Sequence, residues 1–167
     1  MKMLVKTIKL ITILIITFII VIFFISLNKN SLYDTKNLEG QTLSDIKLIQ
    51  FKGSKLISEN DLKKNNFTLI NFWASWCGPC LIEHPFLLKL KNENNLKLLG
   101  VNYKDKQKNA LNFLRKHGNP YDELAKDELG KNSVNFGIYG IPESILINNN
   151  LLILKNLSGQ FLNKITF

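Results

Sequence analysis

From Leu10 to Leu27 the chain carries no charge, and Lys2, Lys6 and Lys9 stand in front of this run, LITILIITFIIVIFFISL. As a helix these residues rise about 27 Å, enough to cross the hydrocarbon core of a bilayer. A cleavable leader would have a shorter apolar stretch ending at small residues of the A-x-A kind. This run ends in FFISLNKN, so an uncleaved transmembrane anchor over 10–27 is the better reading. Lysines ahead of the span place residues 1–9 in the cytoplasm and everything after residue 27 on the far side of the membrane.

Beyond the anchor the pattern changes. Residues 28–44 (NKNSLYDTKNLEGQTLS) are polar, broken by short turns, and read as a tether. Residues 45–167 then form one domain of ordinary size, able to bury a core of its own. IKLIQF, residues 46–51, alternates as a strand does, and Gly53 and Ser54 turn it toward KLIS. FTLINFWA, residues 67–74, is short, apolar and aromatic, the pattern of a strand covered on both faces. From Pro79 the residues Leu81, Ile82, Phe86, Leu87 and Leu90 recur at helical spacing, and Pro85 should kink that helix. LKLLGVNY, residues 96–103, is a second buried strand. Asp105 can cap a helix with the stripe Ala110, Leu111, Phe113 and Leu114, which Gly118 and Pro120 stop. Residues 121–136 predict only a further helical turn or two. Ser144–Ile147 and Leu151–Leu154 pair as a hairpin across an Asn-rich turn. Strand, helix, strand, helix and hairpin make an α/β sandwich around a mixed sheet.

Charge alters this picture little. The net charge is +9, yet only Arg115 among the 22 basic residues is arginine, and the lysines are scattered. A nucleic-acid site calls for a basic stripe with Arg, so nucleic acid is not an expected partner.

The chemistry lies in NFWASWCGPCLIEHP, residues 71–85, which holds both cysteines. A bridge between Cys77 and Cys80 closes so short a loop that it stabilises little, which argues against a purely structural staple. Zinc needs four ligands, and the only histidines are His84 and His117. Both read better as solvated or hydrogen-bonded side chains than as ligands. Redox exchange explains more. The segment stands at a strand-to-helix junction, where unpaired N–H groups and the helix dipole stabilise a thiolate at Cys77. Cys77 is then the attacking sulfur, and Cys80, one turn in and turned inward, resolves the mixed disulfide. Pro79 is tolerated in the first helical turn.

WCGPC after an apolar strand resembles the thioredoxin superfamily. LIEHPFLLKL, LLGVNYKDKQKNALNFLRKHGNPY and FGIYGIPESILIN narrow the resemblance to the DsbE/CcmG family, membrane-anchored thiol:disulfide interchange proteins of cytochrome c biogenesis. The similarity runs from about residue 38 to 160. It implies a thioredoxin-like fold, a central mixed β-sheet flanked by helices, behind a single membrane span. The soluble domain would face the periplasm from a bacterial inner membrane. It implies a reductant that keeps heme-attachment thiols of apocytochrome c, or a partner thiol protein of the maturation machinery, reduced. A membrane electron donor of the DsbD or CcdA kind would recharge it. No cofactor is implied beyond the Cys77–Cys80 disulfide, and no metal. By position the resemblance makes Cys77 the nucleophile and Cys80 the resolving thiol. Trp76, Gly78 and Pro79 flank and separate them. Ile141 and Pro142 match a cis-proline loop facing the cysteines, and Glu83 and Glu143 match acids near the active site. Ordinary thioredoxins carry a buried Asp where this chain has Asn71, so a proton carrier for Cys80 has to come from elsewhere, Glu83 or Glu143. Gly78-Pro79 between the cysteines is the thioredoxin pair. The closing helix of the fold is expected to be short or missing after Gly159. A broader TlpA- or ResA-like reductase, a disulfide-forming oxidase and a redox-inert module that binds apocytochrome or a partner are the alternatives.

Overall fold

The computed structural model describes residues 2–28 and 38–158. The chain divides into two units, Met1–Asp34 and Thr35–Phe167. In the first, helix α1 (Lys2–Asn28) extends past both ends of the uncharged run. Its segment Leu4–Ile25 is long and apolar enough to cross a membrane. The large apolar side chains along that segment are exposed, as an apolar solvent would require.

In the second unit the described residues form a seven-stranded mixed sheet. In chain order the elements are β1 (Lys47–Gln50), β2 (Leu56–Ser58), α2 (Glu59–Leu62), β3 (Phe67–Trp73), α3 (Gly78–Leu90), β4 (Leu96–Tyr103), α4 (Gln107–His117), β5 (Glu123–Asp127), α5 (Lys131–Asn135), β6 (Glu143–Asn148) and β7 (Ile153–Ser158). Across the sheet they run β2-β1-β5-β4-β3-β6-β7. β3, β4 and β5 are parallel; β1 and β6 join them antiparallel, and β2 and β7 form the edges.

β3 and β4 are covered on both sides, as their unbroken apolar runs predict. Ile70, Phe72, Leu99, Val101, Ile145 and Ile147 face one core with Phe136 and Ile138. Leu69, Trp73, Leu98 and Leu146 face the other, under α3 and α4, with Leu87, Ala110, Phe113, Leu114 and both cysteines. The parallel order explains the location of the cysteines. β3 delivers the chain to the carboxyl edge of the sheet, and α3 returns from it.

Several expectations change. Residues 121–136 hold a strand, β5, besides the helical turn α5. ELAKD hides it, because only Ala125 and Asp127 are buried and three of five residues are polar or charged. Asp105 does not cap α4; Lys106 holds that position, and the Asp105 carboxylate accepts from Ser75 and Asn102. The hairpin forms, but its second strand starts at Ile153 after a turn in which Asn148 Oδ1 accepts from the amides of Asn150 and Leu152. Of the expected tether over 28–44, Asn28 ends α1, residues 29–37 lie outside the described residues, and from Leu38 the segment is part of the domain. Gly40 N donates to Ile153 O, Ile153 N to Gln41 O and Leu43 N to Leu151 O. Leu38 and Leu43 pack against the core, which is why this polar-looking segment stays with the sheet. The expected stunted closing helix lies outside the described residues.

Candidate active site

β3 ends at Trp73, and four residues later Cys77 caps α3 with an extended backbone, φ −87° and ψ 106°. Cys77 and Cys80 are disulfide-bonded, with their Cα atoms 5.3 Å apart. The Cys80 amide donates to Cys77 Sγ at 3.2 Å. One of the amides that a helix start leaves unpaired is therefore aimed at this sulfur. Pro79 occupies the first turn without losing a bond, and a Cβ at Gly78 would meet nothing within 4 Å. Burial barely separates the two sulfurs: Cys77 is 5% and Cys80 3% exposed. Their distinction rests on position, cap against first turn. Trp76 beside them is exposed, and its indole Nε1 donates to Lys104 O at 3.1 Å.

α3 turns an unexpected face inward. Cys80, Glu83, His84 and Leu87 are its buried residues, spaced i, i+3, i+4, i+7. Of the expected stripe, Leu81, Ile82 and Phe86 are exposed, while Leu87 is buried and Leu90 is half-buried against the core. Polar partners set this phase. His84 Nε2 lies 3.0 Å from Gly118 O, and its ring meets Phe113 edge-on. Burial pushes the His84 pKa down, partly offset by the Gly118 bond.

Glu83 is 3% exposed and takes a hydrogen bond from Asn71 Nδ2 at 2.8 Å. Asn71 also donates to Ser144 Oγ at 2.9 Å and accepts from Tyr121 Oη at 2.7 Å. The Tyr121 ring fits because its neighbour is Gly100; a Cβ there would lie 2.7 Å from the ring. Burial raises the Glu83 pKa to about 7, against the opposing Asn71 bond. Tyr121 is held well above its ordinary value by burial and by the Glu83 charge, so it stays a neutral donor. Residues three apart on a helix are neighbours, so Glu83 stands next to Cys80. The site thus contains a buried carboxyl that titrates near neutrality one turn from a thiol.

The Ile141–Pro142 bond is cis, and Ile141 packs against both cores, including the one that holds the cysteines. Glu143 follows, buried, with its pKa also raised to about 7 by burial against a bond from Asn156. Its Oε1 has no hydrogen-bond partner among the described residues. β6 alternates, however. Ser144 reaches Asn71 on the α3 side, while Glu143 shares the opposite side with Ile145 and Ile147. The structure therefore joins Glu83, not Glu143, to the Asn71 network. Sequence reasoning missed Tyr121 and Ser144, which lie 50 and 73 residues from Asn71 and carry no local signal. No group of three or more His, Cys, Asp or Glu side chains that could hold a metal occurs among the described residues.

A dithiol pair at a helix start, a cis-proline loop and a mixed sheet are the frame on which comparison with known proteins turns, and residues 38–163 match the Redoxin family. The chain belongs to that family. Within it, this redoxin is 34% identical to the thiol:disulfide interchange protein HelX of Rhodobacter capsulatus, over 73% of this chain and 69% of that protein. It is 48% identical to CycY of Rhizobium leguminosarum bv. viciae, also a thiol:disulfide interchange protein. That match covers 50% of this chain and 45% of CycY, so the aligned part spans about half of that relative. A crystal structure from Chlorobium tepidum, assigned by name to DsbE, superimposes with a TM-score of 0.61 at 28% identity, covering 72% of this chain and 85% of that one. The redoxin is thus a member of the thiol:disulfide interchange proteins with a thioredoxin-like fold.

Proposed function

We propose that this protein is a membrane-tethered thiol reductase of cytochrome c maturation, with Cys77 as nucleophile and Cys80 as resolving thiol. The observation that carries the reading is the Cys77–Cys80 disulfide at the start of α3, beside the cis-Pro142 loop and one turn from the buried Glu83. In the reduced protein the Cys77 thiolate attacks one sulfur of a partner disulfide. A Cys77–partner bond forms and the other partner sulfur leaves as a thiolate. Cys80 gives up its proton and attacks Cys77 Sγ, closing the intramolecular disulfide and expelling the second partner thiol. Two electrons have passed to the partner, whose two sulfurs leave as thiolates; one takes up the equivalent of the Cys80 proton and the other a proton from solvent.

Asn71 cannot accept the Cys80 proton as a carboxylate would. Glu83, ionised above about pH 7, can. The backbone at Ile141 is the place where an extended substrate segment would pair. Leu4–Ile25 would anchor the domain, and the lysines before it favour an extracytoplasmic face. The resemblance to DsbE and CcmG supports apocytochrome c or a thiol protein of its maturation machinery as substrate, and a membrane dithiol carrier as electron donor.

Trapping tests this. Cys80→Ser should leave Cys77 in a mixed disulfide with its natural partner. Recovery of a protein with a heme-attachment motif, or of one that acts on it, is the expected result. A spread of unrelated exported proteins would instead mark a general reductase or oxidase. If a variant lacking both thiols still supports cytochrome c assembly, the domain only binds.

A further inference from the structure

The motif VNYKD, residues 101–105, has no part in the thiol chemistry above, yet the structure ties it to the turn that carries Cys77. The Asp105 carboxylate takes four hydrogen bonds. Oδ2 accepts from Ser75 N at 2.6 Å and from Asn102 Nδ2 at 3.2 Å. Oδ1 accepts from Ser75 Oγ at 3.0 Å and from Lys106 N at 2.7 Å. One residue further on, Trp76 Nε1 donates to Lys104 O, and Lys104 takes φ +45° to present that carbonyl. Both residues immediately before Cys77 are thus fastened to the loop between β4 and α4.

We propose that Asp105 is a positioning residue for the dithiol, locking the Ser75–Cys77 turn so that Cys77 Sγ stays where the Cys80 amide meets it. The inference rests on the exchange reading of the cysteines. A carboxylate is the group for this task because it alone offers two acceptor oxygens to two amides, a hydroxyl and a side-chain amide at once. When the disulfide opens, Cys77 keeps its thiolate only if its backbone holds the sulfur against the helix start. With the turn loose, the sulfur swings into water and reverts to an ordinary thiol. The titratable and charged groups on the elements packed about the pair are Glu83 and His84 on α3 and Lys104, Asp105 and Lys106 on the β4–α4 loop, while Glu143 at the head of β6 lies on the other side of the sheet. Of these, Asp105 is the one bonded to the Ser75 backbone and hydroxyl.

The sign of the effect separates positioning from charge. Losing a negative charge near Cys77 lowers the thiol pKa, whereas losing the clamp raises it. The measurement is the pH profile of Cys77 alkylation on the reduced full chain in detergent, with stability followed in parallel. Asp105→Ala should move the midpoint upward toward the ordinary thiol value near 8.5 and slow alkylation about tenfold on the acid side. Ser75→Ala, which keeps the amide bond, should move it part of the way. Asp61→Ala is the control: that carboxylate accepts from Ser58 N at 3.1 Å and from Ser58 Oγ at 2.9 Å beside the edge strand β2, which three strands separate from β3, and its loss should destabilise without moving the midpoint. An unmoved midpoint in Asp105→Ala with lowered stability overturns the inference, and so does a midpoint that falls. If Asp105→Ala does not fold, an unmoved Ser75→Ala overturns it. A wild type that shows no exchange with a disulfide substrate refutes the exchange reading itself, which the variants do not test.

Discussion

At the scale of single residues, the site is an arrangement of one acid and the groups that orient it. Tyr121 fixes the Asn71 amide, Asn71 presents its N–H to Glu83, and burial sets the Glu83 pKa near neutrality. Glu83→Gln keeps the shape and removes the titration. The pH profile of Cys77 alkylation should then lose its inflection near 7, and resolution of a mixed disulfide above neutrality should slow on the order of 100-fold. An unaltered profile would remove Glu83 from the mechanism. Gly100 is constrained by the same arrangement. Its missing Cβ makes room for the Tyr121 ring, which is stacked on Trp73 with centroids 5.5 Å apart and cannot retreat. Gly100→Ala should cost about 1–3 kcal/mol in urea unfolding.

Among the elements, α3 is the most informative. His84 is buried on it and Ile82 exposed, contrary to their polarity. His84→Ala should lose about 2 kcal/mol, from its bond to Gly118 O and its contact with Phe113. Ile82→Ser should change stability by less than about 0.5 kcal/mol. Chemical denaturation distinguishes the two, and the reverse order would mean that the apolar stripe is the buried one. This helix also marks the limit of what the sequence could tell. β3, β4 and the hairpin were legible because sheets covered on both faces leave unbroken apolar runs such as FTLINFW. The cysteines were legible because spacing and junction are local. The phase of α3 was not, since it depends on Asn71 and Gly118 O, partners 12 and 34 residues distant in sequence. β5 was missed for a related reason. Its polar composition reflects a strand end near the surface, and pairing with β1 and β4 holds it in place. Asp105 was read as a helix cap because the type of residue fits that role; what it binds is decided by a loop 30 residues earlier.

On the scale of the whole molecule, two buried carboxyls on opposite sides of the sheet link stability to pH. Glu83 and Glu143 both rise from 4.5 to about 7 on folding. The folded state thus favours the protonated acids. Their full contribution is present below pH 4.5 and is lost as pH rises through 7. The oxidised chain should therefore be less stable in urea at pH 8.5 than at pH 5. Glu83→Gln and Glu143→Gln should each reduce that difference, and a flat wild-type profile would show that neither acid is protonated in the fold. The central claim is that Cys77 attacks and Cys80 waits. It is tested most directly by brief alkylation of the fully reduced chain near pH 7 with limiting iodoacetamide, followed by peptide mass spectrometry. The account predicts label on Cys77 with Cys80 unmodified; label on Cys80 first, or on both alike, would contradict it.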